Sequence, residues 1–337
     1  MAKPNLGVVL LTYNSISKLG KVFEIVLRNL LNLDYENAHV VIVDNASRDG
    51  TPDFVEKFVR KKGSRCRVSS NRILRLKKNY GWAGGNNRAV MLLKDTDYLL
   101  FLNDDLIMKP DVPKKLVEVM EQNPSIGAAQ PVIINFDGTY NLGYHLSLGL
   151  IPCPITASNV STHHLLHDNL LEIAYAIGAA LMTRTELFFR LGMFTEDYFY
   201  WFDDVDYSLR VWAAGYRVVC VLNCHVYHVG SATFGKSNPK SWYYFSRNLM
   251  DMVTLLPSRV ILKVIPFTIM EWFFASVLHC LKTRNTSGLI YSFLGIKHCL
   301  KRLKRHKPPR ISLSSKLLHG ITSPYVTAKN IKIVKWR

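Results

Sequence analysis

The chain has little with which to cross-link itself. Its six cysteines (Cys66, Cys153, Cys220, Cys224, Cys280, Cys299) are scattered among apolar neighbours, and no two form a CxxC. That distribution argues against a disulfide framework and for a reducing, intracellular setting. Repeats and low-complexity tracts are also missing, so a repeat architecture is set aside. Neither GxxxxGK[ST] nor GxGxxG occurs, which removes the P-loop and the dinucleotide fingerprint. The opening "MAKPNLGVVLLTYN" has too short an apolar core for a secretory signal.

Acidic residues are scarce in one region only. Residues 256–337 carry 16 Lys plus Arg against a single acid, Glu271, whereas the rest of the chain is close to neutral at +3 of the total +18. Such a tail suits nucleic acid or an anionic membrane. Its aromatics form no stacking platform, and it has no zinc-finger or RRM signature, so no nucleic-acid partner is expected. The tail is instead apolar: "RVILKVIPFTIMEWFFASVLHCLK" and "GLIYSFLGIKHCL" lead into "KRLKRHKPPR". Lys263, Glu271, His279 and Pro266 interrupt the first run, which makes it a poor spanning helix. Apolar surface beside a polybasic cluster predicts a helical hairpin lying in an anionic membrane surface, peripheral on its cytoplasmic face. A helical subdomain with a solvated basic face is the alternative.

The first 105 residues alternate strand and helix patterns four times. "LGVVLLTYN" (6–14), "AHVVIVD" (38–44), "RILRLKKN" (72–79) and "YLLFLND" (98–104) read as strands. Helices are predicted in "SISKLGKVFEIVLRNLLNL", in "PDFVEKFVRKK" and from "GGNNRAVMLLKD". This order predicts an α/β fold with a mainly parallel sheet flanked by helices, its ligand beyond the carboxyl ends of the strands. Polar residues collect at those ends: Thr12, Tyr13, Asn14; Asp44, Asn45; Asn79; Asn103, Asp104, Asp105.

Three motifs carry chemistry. Adjacent carboxylates in "LLFLNDD" repel unless a cation or proton intervenes, which suits a hard metal such as Mg²⁺ or Mn²⁺; a helix-entry loop is the plain alternative. "NYGWAGGNN" opens a helix whose N–H groups could face a diphosphate, or its glycines serve only a tight turn. In "FYWFDDVDYSLR", Asp206 and Arg210 are spaced as a helical ion pair, which leaves Asp203 and Asp204 at the helix N-terminus. They could be capping groups. Their aromatic surroundings would raise a carboxylate's basicity, as a general base requires.

Taken together, "VVLLTYN", "VIVDNASRDGT", "NYGWAGGNN", "LLFLNDD", "AIGAALMTRTELFFRLGMFTEDYFYWFDDVDYSLRVWAAGYRV" and "VYHVGSA" resemble family-2 glycosyltransferases of GT-A fold, in the rhamnosyltransferase-like branch. The resemblance spans roughly residues 5–250. It implies a catalytic domain over 1–255; charge and hydropathy mark the rest as an apolar, basic helical membrane-associating region (256–310) and a basic tail (311–337). It also implies a nucleoside-diphosphate-sugar donor, a glycan or lipid-linked saccharide acceptor and metal-dependent single displacement with inversion. Thr12, Tyr13, Asn14 and Asp44 would line the base pocket, and Asn79, Gly85 and Asn86 would hold ribose and diphosphate. "NDD" replaces DXD, which makes Asp105 the metal-binding aspartate and sets Asp104 against the ribose. His228 looks like the later metal ligand. Asp204 matches the catalytic base, and Asp203 replaces the usual glutamate beside it. A sugar-1-phosphate nucleotidyltransferase, or a sugar-nucleotide or glycan-binding module without turnover, are the competing readings.

Overall fold

The computed structural model describes residues 3–62, 66–147, 150–155, 165–166, 169–229, 240–256 and 258–305. His163, His164 and His167, which the sequence places in a loop, the end of the membrane-associating region (306–310) and the basic tail (311–337) lie outside these residues.

Strands β1 (Leu6–Thr12), β2 (Ala38–Asp44), β3 (Ser70–Arg75) and β4 (Tyr98–Asn103) lie in the order β4-β1-β2-β3, every pair parallel. The crossovers are α1 (Ser15–Leu19) with α2 (Lys21–Leu30), α3 (Thr51–Lys62) and α4 (Gly81–Val90). The single helix expected over 15–33 is two, because Gly20 turns with φ 53° and caps α1 through its N–H to Ile16 O. That conformation is open to glycine and breaks the helical path.

The rest of the sheet is not alternating. The chain continues through β5 (Leu106–Met108), α5 (Val112–Gln122), β6 (Ile126–Asn135), β7 (Tyr140–Asn141), β8 (Tyr144–Leu146), β9 (Pro152–Pro154), β10 (Leu165–Leu166), β11 (Leu170–Glu172) and β12 (Ala180–Arg184). It ends with α6 (Thr185–Arg190), α7 (Asp203–Ala213), β13 (Arg217–His228), α8 (Lys240–Thr254), α9 (Ser258–Thr283) and α10 (Ser287–Arg305). β12 inserts antiparallel between β4 and β6, β13 lies parallel to β6, and β11 and β10 complete that edge. β8 and β9 form a separate small pair.

Alternation along each strand divides the core. Val8 and Leu10 face α2, α3 and α5, where Phe23, Leu27, Val55 and Leu116 are buried. Val9 and Leu11 face α4, α6 and α7, where Ala83, Phe188 and Tyr207 are buried. Each large apolar side chain so buried contributes about 1.5–3 kcal/mol. A third cluster joins α7, α8 and α9 through Val205, Leu209, Leu249, Met252, Val264 and Trp272. The C-terminal helices are thus packed onto the α/β body.

Candidate active site

The carboxyl ends of β1 to β4 open on one cavity of about 140 Å³. Leu11, Thr12 and Tyr13 line it from β1, Asn45 from β2, Asn79 to Trp82 from the β3–α4 turn without Tyr80, and Asn103 to Asp105 from β4. Phe199 and Tyr200 close the far side. A larger open groove of about 460 Å³ lies against α2 and α3 among Arg28, Lys57, Lys61 and Lys62. It contains none of the strand-end residues, and chemistry belongs with the smaller cavity.

Thr12, Tyr13, Asn79, Asp104 and Asp105 therefore meet as the sequence predicts. Asn14, Asp44, Gly85 and Asn86 stand behind the wall. Asn14 caps α1 in a left-handed conformation, and its Oδ1 accepts the Arg48 N–H at 2.8 Å. Asp44 is buried, accepting the Ser47 N–H at 3.1 Å. Gly85 lets α4 approach β1, since a Cβ there would lie 2.5 Å from Leu11 Cδ1. The buried Asn86 amide donates to Trp82 O at 3.0 Å.

The two acids of "NDD" have different surroundings. Asp104 Oδ2 accepts from the Ser15 hydroxyl and, at a long 3.5 Å, from the Tyr13 N–H. Burial and the neighbouring Asp105 charge push its carboxyl up to about 6, against the pull of Ser15, Lys18 and Tyr13. Asp105 Oδ2 lies 3.1 Å from His228 Nε2, while its buried Oδ1 has no hydrogen-bond partner. These two residues are brought together by strand pairing: β5 runs antiparallel to β13, with Leu106 opposite His228. Burial pulls the His228 imidazole down, but the Asp105 carboxylate prevails and raises it. His228 Nδ1 lies 3.4 Å from Asn135 Oδ1, so a hydrogen on Nδ1 would leave Nε2 free to ligate.

An orphaned carboxylate oxygen beside an imidazole fits a divalent cation such as Mn²⁺ or Mg²⁺. No group of three or more His, Cys, Asp or Glu side chains suited to a metal occurs among the described residues. Asp105 and His228 would accordingly share the ion with phosphate oxygens.

The third carboxylate group begins α7. Asp204 Oδ2 accepts the Gly178 N–H at 2.9 Å and Oδ1 accepts its neighbour Val205 N–H at 2.8 Å. Asp203 accepts the Asp204 N–H at 3.2 Å through Oδ1, and its buried Oδ2 is unpartnered. Burial raises both carboxyls; the Asp204 charge adds to the rise of Asp203, and backbone N–H donors restrain both. Asp206 is structural, as its spacing predicts: Arg210 binds it at 2.7 Å and Thr195 Oγ1 donates to it at 2.7 Å.

The sequence places Asn45 and Asn103 at polar strand ends without giving them a task, and it does not point to Trp82 or Lys18; these four hold the cavity in shape. Asn45 donates to Asn79 Oδ1 and Gly81 O and accepts from the Tyr80 N–H, which fixes the β3–α4 turn. Trp82 Nε1 donates to Asn103 Oδ1 at 2.9 Å, giving the amide at the first position of "NDD" a task. Lys18 Nζ donates to Tyr13 O at 2.6 Å and lies 4.7 Å from the Tyr13 ring centroid. Its place one turn beyond the polar end of β1 was the available signal.

Comparison with known proteins gives the family and the fold. The N-acetylglucosaminyl-diphospho-decaprenol L-rhamnosyltransferase of Mycobacterium tuberculosis is 25% identical over 272 residues, 71% of this chain and 83% of that protein. The rhamnosyltransferase WbbL of Escherichia coli is 25% identical over 173 residues, 44% of this chain and 61% of its own. Among solved structures, GalNAc-T7 with UDP, GalNAc and Mn²⁺ aligns with a TM-score of 0.62 at 13% identity, covering 90% of this chain and 58% of that one. The Pyrobaculum calidifontis mannosyltransferase PcManGT with GDP-Man and Mn²⁺ aligns at 0.56 and 16% identity, covering 89% and 88%. Both likenesses establish the GT-A fold. With the Glycosyl transferase family 2 model matching residues 7–192, the chain belongs to that glycosyltransferase family.

Proposed function

We propose that this glycosyltransferase is an inverting, divalent-metal-dependent enzyme that moves a sugar from a nucleoside diphosphate to a hydroxyl of a lipid-linked saccharide. The observation that carries the reading is the convergence of four polar strand ends on one cavity, with Asp105 and His228 paired beside them. The donor nucleotide lies along the ends of β1 and β2, its diphosphate toward Asp105. When bound there, a divalent cation neutralises charge on the departing diphosphate.

Asp204 takes the proton of the acceptor hydroxyl as that oxygen attacks the anomeric carbon opposite the diphosphate. The carbon–oxygen bond to the nucleotide breaks with its electron pair, and one displacement inverts the centre. The two N–H groups fix the Asp204 carboxylate, so positioning supplies much of the rate. Tyr144 and Tyr175, stacked at 4.7 Å, both feel the Asp204 charge.

The acceptor class follows from the C-terminal helices and from the relatives' substrates. Leu262, Phe273, Phe274, Leu278, Leu281 and Phe293 are exposed on α9 and α10, near the exposed Lys263, Lys282, Lys297 and Lys301. The acid Glu271 instead accepts from the Ser147 hydroxyl. Among the described residues one helix, Val260–Lys282, is long and apolar enough to cross a membrane, yet its Trp272 is buried against Ser246 of α8. We read the pair as lying on the cytoplasmic surface of an anionic bilayer, where a lipid-linked acceptor would be presented.

The test is a panel of UDP-, GDP- and dTDP-sugars, including rhamnose donors, with and without Mn²⁺, read by thermal shift and nucleoside diphosphate release. Metal-dependent stabilisation by one nucleotide with turnover is the expected result. Binding without turnover would favour a sugar-nucleotide-binding module.

A further inference from the structure

The turn between the short 3-10 segment Glu196–Tyr198 and α7 is held in a conformation its own residues disfavour. Phe199, Trp201 and Phe202 have φ of 61°, 64° and 73°. Bulky L side chains rarely enter that region unless their surroundings impose it. The turn carries Phe199 and Tyr200 against the donor cavity and leads directly into Asp203 and Asp204.

The imposing contacts come from two adjacent residues of α8. The fully buried Asn248 amide shares the two hydrogens of Nδ2 among three carbonyls: Tyr198 O at 3.1 Å, Tyr200 O at 2.7 Å and Trp201 O at 2.9 Å. Arg247 reaches Asp197 O at 2.6 Å and Tyr198 O at 2.8 Å. Its Nε donates to Asn248 Oδ1 at 2.8 Å, so the amide oxygen faces the guanidinium and the nitrogen faces the turn. From the opposite side, the Trp82 N–H donates to Phe199 O at 3.2 Å. α8 itself is seated on α10, where a Cβ on Gly295 would lie 2.4 Å from Tyr243 O.

We propose that Arg247 and Asn248 are positioning residues for transfer: they clamp the 197–202 turn and thereby fix the donor wall and the start of α7 that bears Asp204. Neither residue lines the donor cavity; both act through the turn. The catalytic half of this inference rests on the assignment of Asp204 as base, whereas the clamp itself does not.

Two variants of the full-length chain test it. Asn248→Asp keeps the shape but sets an oxygen against three carbonyl oxygens. Arg247→Met keeps the stem at a half-buried site and removes every donor, so it guards against an Asn248→Asp protein that fails to fold. Hydrogen exchange is followed in peptides covering 197–204, with peptides from 6–44 as reference. Both variants should exchange at least about tenfold faster in the turn, with the reference unchanged. With whichever nucleotide sugar the wild type turns over, kcat should fall by about 30-fold or more while the donor KM stays within about threefold.

Wild-type exchange in the turn of either folded variant would overturn the clamp. A loosened turn with unchanged kcat would overturn its catalytic role. A wild type that turns over no donor would instead overturn the base assignment and the catalytic half with it, and exchange would still decide the clamp.

Discussion

The backbone N–H of Gly178 donates to Asp204 Oδ2 at 2.9 Å, tying the loop before β12 to the first turn of α7. Gly178 can stand there because it has no side chain: a Cβ would lie 2.7 Å from the Trp82 ring. Trp82 is in turn held by Asn103, so the carboxylate is referenced to the end of β4 across three elements. Asp204→Asn retains the shape and removes the base. Transfer should fall by about 10²–10⁴-fold, with nucleoside diphosphate affinity by calorimetry nearly unchanged. An equal loss of nucleotide affinity would make Asp204 part of the scaffold.

The buried pair also sets a pH dependence. Burial raises both Asp203 and Asp204 above the ordinary carboxylate value. A base works ionised, so kcat/KM should rise with pH through an inflection above that value. The stability effect of Asp203 has the opposite sense. Its folded-state pKa exceeds the unfolded one, so the native state binds more protons in the window between them, and stability falls as pH rises through it. Asp203→Asn should therefore raise Tm at neutral pH, and the gain should vanish below about pH 4, where both states are protonated. A gain of equal size at low pH would show that charge burial is not its origin.

How much of this could be read in the sequence follows from where each signal resides. The strand runs of β1, β2 and β4 are local hydrophobic patterns ending in polar residues, so Thr12, Tyr13, Asp104 and Asp105 are legible as strand-end residues, and the fold sets them around one cavity. The Asp206–Arg210 pair was legible because four-residue spacing on a helix is local geometry. The antiparallel insertion of β12 was not legible, since nothing in Ala180–Arg184 states which strands it will lie between. The same holds for Gly85, which in sequence looks like a phosphate-loop glycine and in the fold makes room for Leu11. Asn248 is an ordinary polar residue of an amphipathic helix until the turn it holds is folded against it.

Asp105 and His228 make a direct test of metal use. Asp105→Asn and His228→Ala should each abolish the Mn²⁺-dependent part of nucleotide stabilisation and leave metal-independent binding, because the proposed function sets the nucleotide base against Thr12 and Tyr13 instead. Thermal shift with nucleoside diphosphate, with Mn²⁺ or with EDTA, reads this. If either variant retains the full metal response, its side chain is not a ligand.

Gly81 separates backbone conformation from contact. Its φ is 74°, and a Cβ would lie 2.5 Å from Phe199 O; Gly138 has φ 79° with nothing within 4 Å. Gly138→Ala should cost only the left-handed penalty of about 1–2 kcal/mol. Gly81→Ala should cost more in denaturant unfolding, because the Phe199 turn must also move. Equal costs would mean that this close approach contributes nothing.

The exposed side of α9 and α10 sets the last expectation. Trp272, buried and bonded to Ser246, packs α9 against α8, so removing the whole region would strip cover from the catalytic body and confuse unfolding with release. Phe274 and Leu281 are 59% and 70% exposed, so charge there is tolerated by the fold but not by a bilayer. Phe274→Glu with Leu281→Glu should keep Tm and turnover on a soluble acceptor while flotation with phosphatidylglycerol vesicles falls sharply. Replacing Lys297 and Lys301 by Gln should weaken binding mainly at low salt, at about 1 kcal/mol per charge near an anionic surface. Flotation that survives both changes would mean that this face is not what meets the membrane.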